Sequence, residues 1–274
     1  MQTSKLATDV TPIGILSKKL EQLLQLISDT PAIPKEALRL SGECYELAAG
    51  LEAYLQANTT PPSKNLKMLD EATRAEDWEQ NFSSGKTSLA LEYEMLSGHV
   101  EGQVLKMITY MTRAESILEI GMFTGYSALA MAEALPSTGR LIACEIDEYV
   151  ASIAKKHFQA SPYGKKITIK TGEARESIRD LSKAGECFDL IFIDGNKIDY
   201  WMYYQVILDA NLIAPGGFIC VDNTLFQAQP YLNRQDISPN GSAIAHFNQK
   251  VAADDRVEQV ILPLRDGLTI IRRI

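Results

Sequence analysis

The sequence predicts an α/β protein with a seven-stranded, mostly parallel sheet, a C-terminal antiparallel hairpin and a helical N-terminal extension. From Ser116 onward, short runs rich in Ile, Val and Phe alternate with segments of helix length, which is typical of parallel strands joined by crossover helices. The last two apolar runs are joined by only LRDG, which predicts a hairpin. The first hundred residues contain no convincing strand and show a helical pattern instead.

The predicted elements follow from these runs in chain order. The parallel strands are expected at 116–120, 141–145, 167–170, 188–193 and 217–221, and the hairpin strands at 258–263 and 268–273. Helices are expected before the sheet at 13–28, at 35–56 with an interruption near Ser41–Gly42, from a cap at Ser63 or Asn65 to Ala75, and at 90–112. The chain therefore divides into an extension, residues 1–50, and one domain, residues 51–274.

Charge and cysteine content exclude several classes of protein. The 274 residues carry 35 acids against 27 bases, a net charge of −8, whereas binding to a nucleic acid backbone or an anionic membrane needs a basic surface. No window of 18 uncharged apolar residues exists, and the N-terminus lacks the apolar core of a secretory signal. The four cysteines show no CxxC spacing, so we expect buried thiols in a reducing cytoplasm rather than disulfides or a zinc site.

Acidic residues fall at the ends of four predicted strands, namely Glu119, Glu145, Asp194 and Asp222. The carboxyl ends of parallel strands lie along one edge of the sheet, and ligands bind there. One buried acid could be a structural group, but four acids at one edge would repel one another without a cationic partner. We therefore expect a cation or a polar ligand at this edge.

The connection after the first strand, EIGMFTG, is a candidate nucleotide-binding turn. Gly121 and Gly125 allow close approach of the backbone to a ligand, although a tight strand-to-helix turn alone would need the same glycines. Glu145 lies 20 residues beyond Gly125, at the end of the next strand. Nucleotide-binding α/β folds place an acid there to accept hydrogen bonds from the ribose hydroxyls. The combination indicates a ligand that contains adenosine.

Asp194, Asp222 and Asn223 form a candidate metal site. Two carboxylates and an amide oxygen are hard ligands, which suit Mg²⁺, Mn²⁺ or Ca²⁺ better than Zn²⁺. Lys197 follows Asp194 by three residues and can turn back toward the same pocket. The alternatives are that Asn223 only caps a loop and that Lys197 lies at the surface, as most lysines do.

Several motifs in the same order resemble those of the cation-dependent O-methyltransferases, which include catechol and caffeoyl-CoA O-methyltransferases. The motifs are EMLSGHVEGQVLKM, ILEIGMFTGYSALAMAEALP, ACEID, FDLIFIDGNKIDY, GGFICVDNTL and LRDGLTIIRR. The resemblance implies a Rossmann-like fold, S-adenosylmethionine as methyl donor, a divalent cation, a small hydroxylated ring as substrate, and a homodimer. Within the group, the chain is similar to the cyanobacterial methyltransferases that form 4-deoxygadusol, the core of the mycosporines.

The resemblance also implies roles for individual residues. It assigns cofactor binding to Ser97, Glu119, Gly121, Met122, Ser127, Glu145, Ala174 and Asp194. It assigns the metal to Asp194, Asp222 and Asn223, and it makes Asp194 and Lys197 the catalytic pair, with Lys197 as general base. The family's usual DADK or DxxK motif appears here as DGNK, so Asn196 replaces the second acid while the spacing from Asp194 to Lys197 is kept.

The expected reaction is methylation of one hydroxyl on a ring with two adjacent oxygens, such as a catechol or desmethyl-4-deoxygadusol. A cation chelated by both oxygens would lower the pKa of the hydroxyl, and Lys197 could take the proton only if it is neutral when it acts. Phe226, Gln227 and Trp201 are candidate substrate contacts, with helix packing as the alternative for Trp201. Residues 1–50 exceed the compact bacterial members and are expected to shape either the substrate entrance or a dimer contact.

Three other functions compete with this one. An NAD-dependent oxidoreductase would share the α/β fold and the ribose acid, but the sequence lacks GxGxxG. A non-catalytic protein that binds S-adenosylmethionine would keep the fold, although the intact Asp194, Lys197, Asp222 and Asn223 argue against it. An RNA methyltransferase would need a stripe of Lys and Arg that the acidic chain does not show.

Overall fold

A computed structural model describes residues 11–28, 34–232 and 236–274 of the chain. Its seven strands are β1 (Ser116–Ile120), β2 (Arg140–Glu145), β3 (Ile167–Thr171), β4 (Phe188–Ile193), β5 (Ile213–Val221), β6 (Val257–Leu262) and β7 (Leu268–Arg273). They form one sheet in the order β3-β2-β1-β4-β5-β7-β6. The first five strands are parallel, and β7 lies antiparallel to both β5 and β6. The predicted mixed sheet, its C-terminal hairpin and its Rossmann-like character are confirmed.

Helices cover both faces of the sheet. They are α1 (Pro12–Ser28), α2 (Lys35–Asn58), α3 (Lys64–Ala75), α4 (Trp78–Ser83), α5 (Gly98–Thr112), α6 (Tyr126–Ala134), α7 (Glu148–Ala160), α8 (Ala174–Lys183), α9 (Tyr200–Asp209) and α10 (Pro239–Ala252). One apolar cluster packs α8, α9 and α10 against the sheet, and a second packs α3, α5, α6 and α7 against the other face. Covering helices explain why the central strand β4 is a continuous apolar run, FDLIFI, rather than an alternating pattern.

Several predicted boundaries were wrong, each for a local reason. Helix α2 runs unbroken through Ser41–Gly42, because Gly42 has nothing within 4 Å and costs only helix propensity. The helix expected at 90–112 begins instead at Gly98. Leu96 is extended and Gly98 has a φ of +72°, so the backbone before this point is not helical. Strand β5 starts earlier than predicted, because Gly216 and a register shift opposite Phe188 interrupt its apolar pattern.

The short helix α4 was not predicted, although its start has a clear capping residue. The side chain of Asp77 accepts a hydrogen bond from Gln80 N at 2.9 Å. The cap predicted at Ser63 is confirmed, since Ser63 Oγ accepts from Leu66 N at 3.2 Å. A helix of six residues gives too little periodicity to stand out in a sequence.

The described part of the N-terminal extension is a pair of packed helices, α1 and α2. Thr11 caps α1 by accepting from Gly14 N at 3.1 Å, and its hydroxyl donates to Glu52 of α2 at 2.8 Å. Helix α1 also packs against a 3₁₀ turn, Phe226–Ala228, beyond the end of β5. Residues 1–10 and 29–33 of the predicted extension lie outside the described residues.

Candidate active site

The ends of β1 and β4 meet where the strand order reverses, which is the usual ligand-binding position in an open α/β sheet. Asp194 N donates to Ile120 O at 2.8 Å, and Gly121 N and Met122 N both donate to Cys144 O at 3.1 Å. Gly121 has a φ of +89°, and a Cβ atom there would lie 2.2 Å from Asp194 O. Only glycine fits this position, so the turn after β1 and the segment that carries Asp194 are held together.

Glu145 lies at the end of β2 with both oxygens bound to the backbone. Phe123 N donates to Oε2 at 2.7 Å, and Asp147 N donates to Oε1 at 2.9 Å. Burial raises the pKa of Glu145 to about 7, against the opposing effect of these N–H donors. Each oxygen keeps a free lone pair, so the carboxylate can accept two further hydrogen bonds from a ligand such as a ribose.

Glu119 is fully buried beside the turn after β1. Ser127, in the first turn of α6, donates to Glu119 Oε1, while Oε2 has no partner within the described part of the chain. Burial holds the pKa of Glu119 well above its usual range, and the charges of Asp194 and Glu145 add to this effect. An unpaired, buried carboxyl oxygen is costly, so this atom is ready for a donor on a ligand.

The other predicted cofactor residues lie nearby in the fold but make no polar side-chain contact that marks a site. Met122 is buried and packs into the apolar cluster on the α5 and α6 side. Ala174 begins α8 and packs against the opposite cluster. Ser97 is buried immediately before α5, and its backbone carbonyl accepts a hydrogen bond from Arg265.

Asp194 and Lys197 form an ion pair just after β4. Lys197 Nζ donates to Asp194 Oδ1 at 2.7 Å and to Gly195 O at 3.2 Å, and about 15% of each side chain is exposed. Burial alone would lower the pKa of Lys197, but the combined effect of Asp194, Tyr200 and Asp222, with Asp194 the largest, holds this pKa above its usual value. The alternative of an ordinary surface lysine is therefore wrong, and in this arrangement Lys197 carries a positive charge.

Asp222 and Asn223 follow β5, which pairs with β4. Burial and, to a smaller extent, the charge of Asp194 raise the pKa of Asp222 to about 7, against the opposing charges of Arg265 and Lys197. Asn223 has a φ of 59°, which asparagine tolerates better than most residues. Its side-chain amide has no hydrogen-bond partner in the described residues, whereas a loop cap would need one. Its oxygen is thus free for a ligand.

A divalent cation such as Mg²⁺ requires hard oxygen donors close together, and Asp194, Asp222 and Asn223 supply such donors. Among residues 11–28, 34–232 and 236–274, no group of three or more His, Cys, Asp and Glu side chains is arranged to hold a metal ion. The predicted set contains two acids and an amide, so it is compatible with this finding. Hard oxygen donors at the ends of neighbouring strands fit a Mg²⁺ ion that keeps several positions for water or substrate.

The predicted acceptor residues belong to two different environments. Gln227 lies in the 3₁₀ turn Phe226–Ala228, which has φ angles of 32°, 53° and 68°, and its N–H donates to Asp266 Oδ1 at 2.6 Å. Trp201 instead stacks on Tyr204 with ring centroids 5.4 Å apart and meets His246 edge-on. Trp201 therefore makes the helix-packing contacts that were the alternative to a substrate contact. The turn that contains Phe226 and Gln227 instead adjoins Asn223.

One charged group was not predicted from the sequence. It consists of the buried Glu101 of α5 and two residues of the turn between β6 and β7, the partly buried Arg265 and the buried Asp266. Arg265 Nη1 donates to Glu101 Oε2 at 3.0 Å, and Glu101 is 1% exposed. The charges of Asp222 and Asp194 act on both Glu101 and Arg265. The charged residues themselves are visible in the motifs VEGQ and LRDG. A single charged residue in a motif, however, does not reveal a partner more than 160 positions away.

The chain is similar to known O-methyltransferases over most of its length. The model of a family described as O-methyltransferase matches residues 82–274. A probable caffeoyl-CoA O-methyltransferase 2 of Dictyostelium discoideum is 33% identical over 182 residues, which cover 66% of this chain and 78% of the relative. The caffeoyl-CoA O-methyltransferase of Petroselinum crispum is 35% identical over 182 residues, covering 64% of this chain and 75% of the relative.

Solved structures are similar over most of the chain. A Podospora anserina methyltransferase bound to S-adenosylhomocysteine has a TM-score of 0.71 and 26% identity, covering 84% of this chain and 96% of that one. A Bacillus cereus O-methyltransferase in complex with S-adenosylhomocysteine has a TM-score of 0.68 and 23% identity, covering 82% and 97%. At that identity, the second likeness shows the fold alone.

Proposed function

The chain belongs to the O-methyltransferase family, and on that premise we propose that it transfers a methyl group from S-adenosylmethionine to one hydroxyl of a small ring with two adjacent oxygens. One observation carries the proposal: the Asp194–Lys197 pair lies beside Asp222 and Asn223, directly next to the turn at Gly121. Membership in this family argues against the NAD-dependent oxidoreductase and the RNA methyltransferase.

We propose that the ends of β1 and β2 hold the cofactor. Glu145 would accept hydrogen bonds from the ribose hydroxyls, and the unpaired oxygen of Glu119 would accept one from the methionine part. The backbone of Gly121 and Met122, together with Ser97, would border the methionine, and Ser127 would bind its carboxylate. Ala174, at the start of α8, would lie against the adenine.

We propose that Asp194, Asp222 and Asn223 hold a divalent cation, with Mg²⁺ preferred over Mn²⁺ and Ca²⁺. When bound, such a cation lowers the pKa of a coordinated hydroxyl and orients it. Without a bound cation, the negative charge of Asp194 helps to keep Lys197 protonated. A cation that shares the Asp194 charge would weaken this ion pair, which would let Lys197 release its proton and serve as general base.

The acceptor pocket is proposed to lie between the end of β5 and the helix α1. Phe226 and Gln227 sit in the turn that α1 covers, and this turn begins three residues after Asn223. Of the two roles expected for the extension, the packing of α1 favours the substrate entrance. Trp201 would reach the acceptor only by leaving its stack on Tyr204.

The names of the relatives and the mycosporine resemblance point to two kinds of acceptor. The caffeoyl-CoA enzymes suggest a catechol-type ring, and the resemblance to the 4-deoxygadusol-forming enzymes suggests the enediol ring of desmethyl-4-deoxygadusol. Both place two oxygens on neighbouring ring carbons, so both could chelate one cation. Asn196 in place of the usual second acid removes a negative charge beside Lys197.

We also propose a homodimer and a cytoplasmic location. An apolar surface groove between α5 and the β6–β7 hairpin includes Met107 and Met111, which are 47% and 71% exposed. A second copy of the chain could cover it, and a Met107→Glu variant would then have the mass of a monomer in light scattering.

The cytoplasmic location is proposed from the cysteines. All four are free thiols, as a reducing compartment would allow. Among the described residues, no helix has the length and apolar character of a membrane span.

A methylation assay tests the proposed function. The enzyme is incubated with S-adenosylmethionine and a panel of catechols, caffeoyl esters and cyclohexenone enediols, with Mg²⁺ or after thorough chelation, and products are identified by mass. We expect a single methylated hydroxyl per ring and loss of turnover on chelation that added Mg²⁺ restores. Full turnover after chelation would overturn the metal, and cofactor binding without transfer to any acceptor would favour the non-catalytic alternative.

A further inference from the structure

Arg265 ties the turn between β6 and β7 to the start of α5. Its Nη1 atom donates to Leu96 O and to Glu101 Oε2, both at 3.0 Å, and also to Ser97 O. Its backbone is left-handed, with a φ of 48°. The side chain is therefore directed by a strained turn toward the buried edge of the candidate site.

Only one nitrogen of the guanidinium is used in these contacts. Within the described part of the chain, Nη2 and Nε have no acceptor, and 30% of the Arg265 side chain remains exposed. An arginine with a purely structural role would be expected to satisfy its five N–H donors. The open edge of Arg265 thus offers a planar, charged pair of donors, the geometry that binds carboxylates and other oxyanions.

The turn that carries Arg265 adjoins the acceptor side of the site. The next residue, Asp266, accepts from Gln227 N at 2.6 Å through its carboxylate and from Leu225 N at 2.8 Å through its carbonyl. The hairpin turn is thereby bonded to the loop that follows Asn223. The positive charge of Arg265 also lowers the pKa of Asp222, which places the guanidinium within electrostatic reach of the candidate metal ligands.

We propose that Arg265 binds an anionic oxygen of the methyl acceptor and so selects rings that carry a negative charge in addition to their two adjacent oxygens. This inference rests on the proposed function, since it names the acceptor class of the same site. The anionic oxygen can belong to a carboxylate substituent or to an acidic ring enolate. Glu101 then serves as a positioning residue that holds Nη1 and leaves the other edge of the guanidinium to the acceptor.

Two matched catechols test the charge selection. The wild-type enzyme, with Mg²⁺ and S-adenosylmethionine, is assayed on 3,4-dihydroxybenzoate and on the neutral 3,4-dihydroxybenzyl alcohol. We expect kcat/KM to favour the carboxylate, and an Arg265→Gln variant to reduce that preference by about 10–100-fold, the effect of a hydrogen bond to a charged group. The loss should lie mainly in KM, Arg265→Lys should restore part of it, and Arg272→Gln, at an exposed ion pair on β7, should leave it unchanged.

A structural role for Arg265 predicts a different pattern, because a distorted site would slow both acceptors alike and leave the preference intact. That result, or equal kcat/KM for the two catechols in the wild-type enzyme, would overturn the inference, and the wild-type comparison holds even if Arg265→Gln does not fold. If the anionic oxygen is a ring enolate, a cyclohexenone enediol is the test substrate. The ratio of kcat/KM for the wild-type enzyme to that for Arg265→Lys should then grow as pH rises through the pKa of the enol. Failure of the wild-type enzyme on every ring would instead contradict the proposed function.

Discussion

The cofactor half and the acceptor half of the candidate site are built in different ways. Glu119, Gly121 and Ser127 lie within nine residues of one another, and the carboxylate of Glu145 is held by backbone N–H groups from its own loop and from Phe123. The acceptor half combines the loop after Asn223, the hairpin turn at Arg265, the start of α5 and the helix α1. In the proposed function, S-adenosylmethionine, the methyl donor, would thus be held mainly by residues close together in the chain, and the acceptor by segments far apart in the chain.

Backbone strain follows the same division. Three consecutive residues of the turn Phe226–Ala228, together with Asn223 and Arg265, have positive φ angles without being glycine. Such conformations cost free energy and persist only where the surrounding contacts impose them. On the cofactor side, glycine takes most of the strained positions, and Phe123 is the exception, with a φ of 50° and its N–H bonded to Glu145. Strain at the acceptor side therefore depends on tertiary contacts such as the bond from Gln227 N to Asp266.

This difference explains how far the sequence could predict the site. The strands and the acids at their ends follow from local patterns, because most strands are single apolar runs and each acid comes at or near the end of its strand. Glu101 and Arg265 could not be predicted, because their 3.0 Å contact joins positions that no local pattern relates. The 3₁₀ turn at Gln227 was equally hidden, since its conformation is imposed by Asp266 rather than by a turn-forming residue such as glycine.

The sharpest way to separate the two halves is a Lys197→Ala variant. Loss of a general base should lower kcat by about 10²–10⁴-fold, while the dissociation constant of S-adenosylmethionine, measured by calorimetry, should change less than twofold. Lys155→Ala, an exposed lysine on α7, is the matched control. Unchanged turnover in Lys197→Ala would remove this residue from the reaction.

A Gly121→Ala variant should break both halves at once. The new methyl group would meet Asp194 O at 2.2 Å at a φ of +89°, so either the turn or the segment that carries Asp194 must move. We expect the free energy of unfolding to fall by about 2–4 kcal/mol, as for other strained or overpacked substitutions, with weaker binding of both ligands. Gly50→Ala lies inside α2 with open space around it, so in the same denaturation series it should raise the free energy of unfolding by about 0.5–1 kcal/mol, because alanine is the better helix former.

Glu145→Gln should affect only the cofactor half. A neutral amide is a weaker acceptor for the ribose hydroxyls, so the KM for S-adenosylmethionine should rise about 10–100-fold with the KM for the acceptor unchanged. Initial rates with each substrate varied in turn measure both constants. An equal rise in the two constants would mean that the halves are coupled through this residue.

The pH dependence of cofactor binding should follow the titration of Glu145. Its pKa is raised to about 7, and the charged form is the better acceptor, so affinity should increase severalfold from pH 6 to pH 8. The free energy of unfolding of the protein without cofactor has the opposite dependence. Between about 4.3, the usual pKa of glutamate, and 7, the folded protein keeps a proton that the unfolded chain releases, so this residue's contribution falls as pH rises. Glu145→Gln should remove both trends in parallel calorimetric titrations.

The smallest effect is expected at the helix that covers the acceptor turn. Thr11→Ala removes the cap of α1 and its hydrogen bond to Glu52, which should cost about 1 kcal/mol of helix stability and loosen α1 on the turn Phe226–Ala228. The KM for the acceptor should then rise a few-fold while cofactor binding stays constant, and Gln22→Ala, exposed on the same helix, should change neither. An increase in the KM for S-adenosylmethionine alone would assign α1 to the cofactor half. If α1 forms a wall of the acceptor pocket, loosening it must raise the KM for the acceptor first.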